Sequence, residues 1–314
     1  MKTILIEKTI PFLFLIFVTF SCQNNENKST SSDNKKSKNE IIFSVNAYSF
    51  SDLLTASYPE SNQQLFSLLN LLDWFHYKEI KAIDPTGYFF PGYPNPPTDA
   101  FLKEFIDKAN RYGISISGTG IRNDFSHPDP KVREEGIERA IAWLEVASKL
   151  NAPVLRCFAG KIPKDSEDDW ETLAQRVIES IEQLIPYAQK FGVKIGIQNH
   201  GDVLRNAEQC LYILEKLNSE WVGLVVDTGH FHTDDPYSDI EKVIPYAVNW
   251  QIKEYTDASV REEKMDYKKI MGLIETGGYK GFVPVESLKR KNEPYRPFER
   301  VAEMLEKLEQ ERSQ

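Results

Sequence analysis

The sequence predicts an α/β protein of the (β/α)8, or TIM-barrel, class. Three observations predict it. Apolar strand-like runs alternate with helical segments eight times over roughly 270 residues, the length that one such barrel uses. Polar residues that a buried strand would normally exclude gather at the C-terminal ends of the later runs, where barrels of this class build active sites. No G-x-G-x-x-G loop follows the first strand, which argues against an open doubly wound sheet.

Taken in order, the first strand is expected over 41–50 and its helix over 62–77. A second strand, 79–84, runs into the aromatic loop Asp84–Pro94. Thr98 is the expected N-cap of a helix reaching Tyr112, because its hydroxyl can accept from the first-turn amides. Strand three spans 113–118 and continues into Thr119–Asp124. The helix over 129–150 carries Pro130 in its first turn, where a missing N–H costs no hydrogen bond. Strand four covers 153–158, and a long helix over 167–191 stops at Gly192. Strand five (194–198) is followed by a helix over 203–217. Strands six (222–227), seven (248–253) and eight (282–286) are separated by shorter helices near 236–246 and 266–275. A last helix, 298–308, sets Val301, Met304, Leu305 and Leu308 on one side.

Composition narrows the partners. With 314 residues, 41% of them hydrophobic, the chain can bury a full core, and its net charge of −9 argues against general nucleic-acid binding. Cys22, Cys157 and Cys210 show no C-x-x-C spacing, and a core of this size needs no disulfide. Buried free thiols are therefore expected for the latter two. Lys2 and Lys8 precede the apolar run Ile10–Phe20, which is too short to cross a bilayer of about 30 Å comfortably but has the proportions of a signal-peptide core. Its end at Ser21-Cys22 resembles a bacterial lipoprotein signal. The expected organisation is a signal peptide over 1–21, a lipidated Cys22, a polar tether over 22–40 and a barrel over 41–314. That places the protein in the bacterial cell envelope, touching the membrane through its lipid alone.

The stretch Lys194–Asp202 begins as an apolar strand and ends in Gln198-Asn199-His200-Gly201-Asp202. In extended backbone Gln198 and His200 share a face opposite Ile195 and Ile197. The other polar strand ends are Asp227 with His230, Gln251 with Lys253, and Glu286. A lysine projecting into a barrel mouth is costly unless it is paired or functional.

These strand ends carry a family resemblance. Val225-Val226-Asp227-Thr228-Gly229-His230 resembles the sixth-strand D-T-G-H motif of the xylose-isomerase-like sugar phosphate isomerase/epimerase superfamily. Pro284-Val285-Glu286 resembles its eighth-strand glutamate motif, Gln251-Ile252-Lys253-Glu254 its seventh-strand H-x-K-D motif, and Ile197-Gln198-Asn199-His200 its fifth-strand E-N-H motif. The resemblance covers about residues 41–311 and implies a divalent metal, Mn²⁺ or Mg²⁺, at Gln198, Asp227, Gln251 and Glu286. Two of these positions depart from the family, with Gln198 for Glu and Gln251 for His.

The substitution constrains the chemistry. An amide has no usable pKa, so Gln198 cannot serve as the second base of a two-base epimerase. Glu286 is then the expected base, with Lys253 or His200 as the acid, acting on the carbon beside a carbonyl of a carbohydrate. Isomerisation by one base, or β-elimination or hydration on a keto-sugar, fits this set. His230, Asn123, Asp124, Arg156 and Tyr88 are the expected substrate-binding residues, although an Asx-turn at Asn123-Asp124 and an internal salt bridge at Arg156 are the structural alternatives. A barrel that binds sugar without catalysis is the reading from another class.

Overall fold

A computed structural model describes residues 41–55, 65–162, 168–257, 262–291 and 293–312. The expected signal peptide, Cys22 and the tether fall outside the described residues. The strands are β1 (Ile41–Asn46), β2 (Ala82–Asp84), β3 (Ser115–Ile116), β4 (Thr119–Gly120), β5 (Val154–Phe158), β6 (Lys194–Gln198), β7 (Val222–Asp227), β8 (Ala247–Lys253) and β9 (Gly281–Glu286). They pair in parallel in the order β3-β2-β1-β9-β8-β7-β6-β5-β4.

The expected third strand is thus split. Its first half, Ser115–Ile116, pairs with Ala82–Ile83, and its second half, Thr119–Gly120, pairs with Leu155–Arg156. Ser117 and Gly118 lie between the halves and bond inward: Ser117 Oγ meets Ser44 Oγ at 2.6 Å, and its carbonyl accepts from Asn249 Nδ2 at 3.0 Å. One broken strand therefore joins both edges, and the nine segments make an eight-position barrel.

Strand parity explains the interior. Ile195, Ile197, Leu224, Val226, Trp250, Ile252, Val283 and Val285 are fully buried on one face. The alternate residues include Asn46, Arg156, Gln198, Asp227, Gln251, Lys253 and Glu286, also buried but polar. Their chain positions bring them to the C-terminal ends of the strands, so the polar set gathers at one mouth of the barrel.

Helix boundaries follow local chemistry. Thr98 caps the helix Asp99–Tyr112 by accepting from Phe101 N at 3.3 Å, and Asp129 caps Pro130–Lys149 by accepting from Lys131 N at 2.9 Å. The single helix expected over 167–191 is instead two, Trp170–Glu182 and Ile185–Phe191. Pro186 has no N–H for the carbonyl one turn earlier, so the first helix ends and a second begins with proline in its first turn. Gly192 closes it in the left-handed region (φ 67°), as expected. Cys157 and Cys210 are buried free thiols, and burial pushes Cys157 up to about 12.

Candidate active site

A cavity of about 480 Å³ opens at this mouth, and Gln198, His200, His230, Gln251, Lys253 and Glu286 all line it. A second volume of about 370 Å³ shares His230, Lys253 and Glu286 with the first and extends to Tyr255, over whose ring the Arg290 guanidinium lies at 3.9 Å.

Asp227 is the hub of the polar set. Its backbone N–H donates to Asn199 Oδ1 at 2.9 Å, and its carbonyl accepts from Asn199 Nδ2 at 2.8 Å. Its Oδ1 accepts from Gly229 N at 3.1 Å and stands 2.9 Å from His230 Nδ1. Its Oδ2 accepts from Gln198 Nε2 at 2.6 Å and lies 3.4 Å from Lys253 Nζ. Burial alone would raise this carboxyl, but the charges of His230 and Lys253 more than reverse that and hold it well below the usual carboxylate range.

Lys253 is equally fixed. Its Nζ donates to Glu286 Oε1, and its backbone N–H donates to Thr228 Oγ1 at 3.0 Å. Burial opposes its charge, yet the carboxylates of Asp227 and Glu286 overcome that cost and raise its pKa. A buried lysine that stays charged needs such a pair of counter-ions.

The opposite wall is aromatic and cationic. Arg156 donates from Nη1 to Ile121 O at 2.7 Å and from Nη2 to Tyr88 Oη at 2.5 Å, with its guanidinium 4.2 Å from the Phe158 ring centroid. Gly120 permits this placement: a Cβ there would fall 2.6 Å from Arg156 Nε. Arg156 is therefore held by a carbonyl and a phenol and faces the cavity. Tyr88 also lines it, crossed by Arg122 at 4.5 Å, and burial raises the phenol despite the neighbouring Arg156. Of the other aromatics in its loop, Phe89 and Phe90 are buried in the core, and Tyr93 accepts from Arg122 N through its hydroxyl at 2.8 Å.

His200 stands at the rim, its ring stacked on His230 at 4.4 Å and edge-on to Phe158 at 4.8 Å. Asn123 and Asp124, expected to meet substrate, are engaged elsewhere. Asn123 bridges the backbone of Phe158, donating to its carbonyl at 2.6 Å and accepting from its N–H at 2.9 Å. Asp124 accepts from Ser126 Oγ at 3.0 Å and Lys161 N at 3.2 Å. Both serve the loop's backbone and neither lines the cavity. His232 lies 3.2 Å from Asp257, with its ring beneath Gly201.

Sequence reading missed Asn46, Tyr48, Thr86 and Arg122 on the cavity wall, and Asn199 behind it. Asn46 ends the first strand and accepts from Thr86 Oγ1 at 2.9 Å and Tyr48 N at 2.8 Å. A polar residue closing an apolar strand was the available signal there, as at Gln198.

The four positions expected to hold Mn²⁺ or Mg²⁺ do converge, but their donor set does not fit a divalent cation. A carboxylate only accepts, so the Gln198 atom facing Asp227 is its amide nitrogen and presents hydrogen, not a lone pair. That same nitrogen donates to Gln251 Oε1 at 2.5 Å. Glu286 carries the Lys253 ammonium. Among the described residues, no three His, Cys, Asp or Glu side chains stand together as a metal-binding group.

Comparison with known proteins places these features. The sequence model of a family described as "Xylose isomerase-like TIM barrel" matches residues 78–310. The chain is 25% identical over 238 residues to an inosose dehydratase of Glaesserella parasuis, covering 62% of this chain and 76% of that one. It is 27% identical over 149 residues to the α subunit of a C-glycoside deglycosidase of Arthrobacter globiformis, covering 44% of this chain and 35% of that one. Among solved structures, a D-psicose 3-epimerase of Clostridium cellulolyticum with D-tagatose superposes with a TM-score of 0.68 at 14% identity, over 86% of this chain and 99% of that one. The IolI protein with a bound zinc atom gives 0.67 at 17%, over 86% and 96%. A 3-keto-D-glucoside 4-epimerase of E. coli gives 0.67 at 12%, over 86% and 100%.

Proposed function

Because this chain belongs to the xylose isomerase-like TIM barrel family, we propose that it is an enzyme moving a proton on the carbon next to the carbonyl of a keto-sugar. The observation that carries the reading is the buried Lys253–Glu286 pair at the cavity floor. Glu286 removes the proton, and the electron pair of the broken C–H bond moves into the carbonyl. Lys253 donates to the oxygen on which the negative charge develops. For isomerisation the proton returns to the former carbonyl carbon, while the hydroxyl on the first carbon gives up a second proton and becomes the new carbonyl. For elimination a leaving group departs from the β-carbon instead and takes up a second proton. His230, oriented by Asp227, and His200 stacked on it are placed to carry that second proton. The Arg156–Tyr88–Phe158 wall orients the sugar through hydroxyl contacts and ring packing.

The second volume favours elimination as a second reading. It shares Lys253 and Glu286 with the first, so a carbon reacting at that pair is within reach of both chambers. A keto-glycoside, with its sugar in one and its aglycone in the other, suits that arrangement. The names of the deglycosidase and dehydratase relatives agree with it. Export and lipidation at Cys22 complete the proposal, and they make a phosphorylated substrate a poor match.

The test is solvent exchange. Wild-type protein incubated in D₂O with a panel of keto-sugars and keto-glycosides should place deuterium on the carbon beside the carbonyl. Glu286→Gln should slow this by about 10²–10⁴-fold while binding persists. Sugars that bind without exchange, isomerisation or elimination, in wild type and variant alike, would establish a binding protein instead.

A further inference from the structure

The family resemblance implies a cation at the strand ends where this chain has Gln198, Asp227, Gln251 and Glu286. Here Gln198, Asp227 and Gln251 are joined by hydrogen bonds, and the Lys253 ammonium lies against Asp227 and Glu286. We propose that the Lys253 ammonium is the resident positive charge of this active site and has taken over the electrostatic role of a divalent metal. The proposal rests on the proton-transfer reading above and deepens it.

Charge and direction both support it. Glutamine in place of the family glutamate at Gln198 leaves two carboxylates, Asp227 and Glu286, and the single ammonium of Lys253 lies against both. Only one net negative charge then remains among these side chains, a weak attraction for a dication whose hydration must be stripped in a buried site. The amides point the wrong way for coordination. Gln198 directs its N–H groups at Asp227 and at Gln251 Oε1, so one candidate ligand is a donor and another has its oxygen engaged. Lys253 is almost completely enclosed, with 4% of its side chain exposed, so its charge is held in place by the fold.

With two family ligands replaced by amides, the lysine that the H-x-K-D motif already carries is left to act without a metal, which has a chemical consequence. A Lys253 N–H can both stabilise an oxyanion and hand it a proton, whereas a bare cation can only stabilise. That suits one-base chemistry, in which Gln198 no longer provides a second carboxylate.

Manganese uptake by the full chain tests the proposal without requiring turnover. Wild-type protein equilibrated with Mn²⁺ and desalted should retain no stoichiometric metal, and its melting temperature should be the same with and without EDTA. Gln198→Glu/Gln251→His, which restores the family ligands, should retain Mn²⁺ stoichiometrically. Lys253→Met should melt lower by on the order of 10 °C, because two buried carboxylates lose their counter-ion, and adding Glu286→Gln should recover part of the loss. Stoichiometric Mn²⁺ in wild type overturns the proposal, as does a double variant that still takes none or a Lys253→Met protein as stable as wild type. If the keto-sugar assay fails while wild type is metal-free, the reaction is misread and the ammonium remains. If wild type holds Mn²⁺ and exchanges deuterium, the converse holds.

Discussion

Replacing Asp84 with asparagine should make the stability of the barrel less dependent on pH, and the direction is fixed by the site. Asp84 ends β2, is 4% exposed, and its Oδ2 lies 3.2 Å from where a Cβ on Gly118 would stand. Burial, with the nearby charge of Glu286, outweighs the attraction of Arg156 and raises the carboxyl from its ordinary 3.8 to about 7. The folded state therefore binds this proton more tightly than the unfolded chain. The stabilisation is full below the unfolded value near 4 and is lost as pH rises through about 7. At about 1.36 kcal/mol per pH unit, the loss amounts to ~4 kcal/mol for a fully buried group. Asparagine mimics the protonated acid and cannot ionise. Urea denaturation of wild type and Asp84→Asn, followed by tryptophan fluorescence from about pH 4 to about pH 8, should show the variant gaining on wild type by up to ~4 kcal/mol as pH rises. A difference that stays flat, or that shrinks with pH, would refute the assignment of a raised carboxyl.

Other outcomes follow from contacts already described. Asn199→Ala removes both bonds to the Asp227 backbone and should destabilise the fold by ~2–6 kcal/mol, measured by denaturation, since each of the two buried groups left unpaired costs about 1–3 kcal/mol. Arg156→Lys keeps the charge but loses the planar fork joining Ile121 O and Tyr88 Oη; KM for a turned-over sugar should rise about tenfold with kcat less affected. Cys22→Ser should move the protein from the membrane fraction to a soluble envelope fraction, and unchanged partition would remove the lipid anchor.

Much of the barrel was legible because strand and helix periods differ and because caps carry sequence signals. Lys194–Gln198 and Val222–Asp227 match their expected bounds, since an apolar run ending in a polar residue marks where the strand reaches the mouth. The break at Pro186 was readable from proline's missing donor but was overridden by an apolar pattern that continues through it. Asn123 and Asp124 were misplaced because an asparagine beside a strand end satisfies backbone as readily as ligand, and only the neighbouring strand decides which. Asn199 was passed over for the same reason in reverse: its work is on the Asp227 main chain, which no spacing reveals. The direction of the Gln198 amide depends on facing an acceptor-only carboxylate twenty-nine residues away, a tertiary fact.

The split third strand divides labour around the ring. Two residue pairs tie each half to its neighbour, as two tie β8 to β9, whereas β1 and β9 share five. In the strand order this thin joint lies across the barrel from β8, which carries Gln251 and Lys253. Part of the wall that recognises substrate, Arg122, thereby follows a broken strand, while Lys253 and Glu286 stand on unbroken ones.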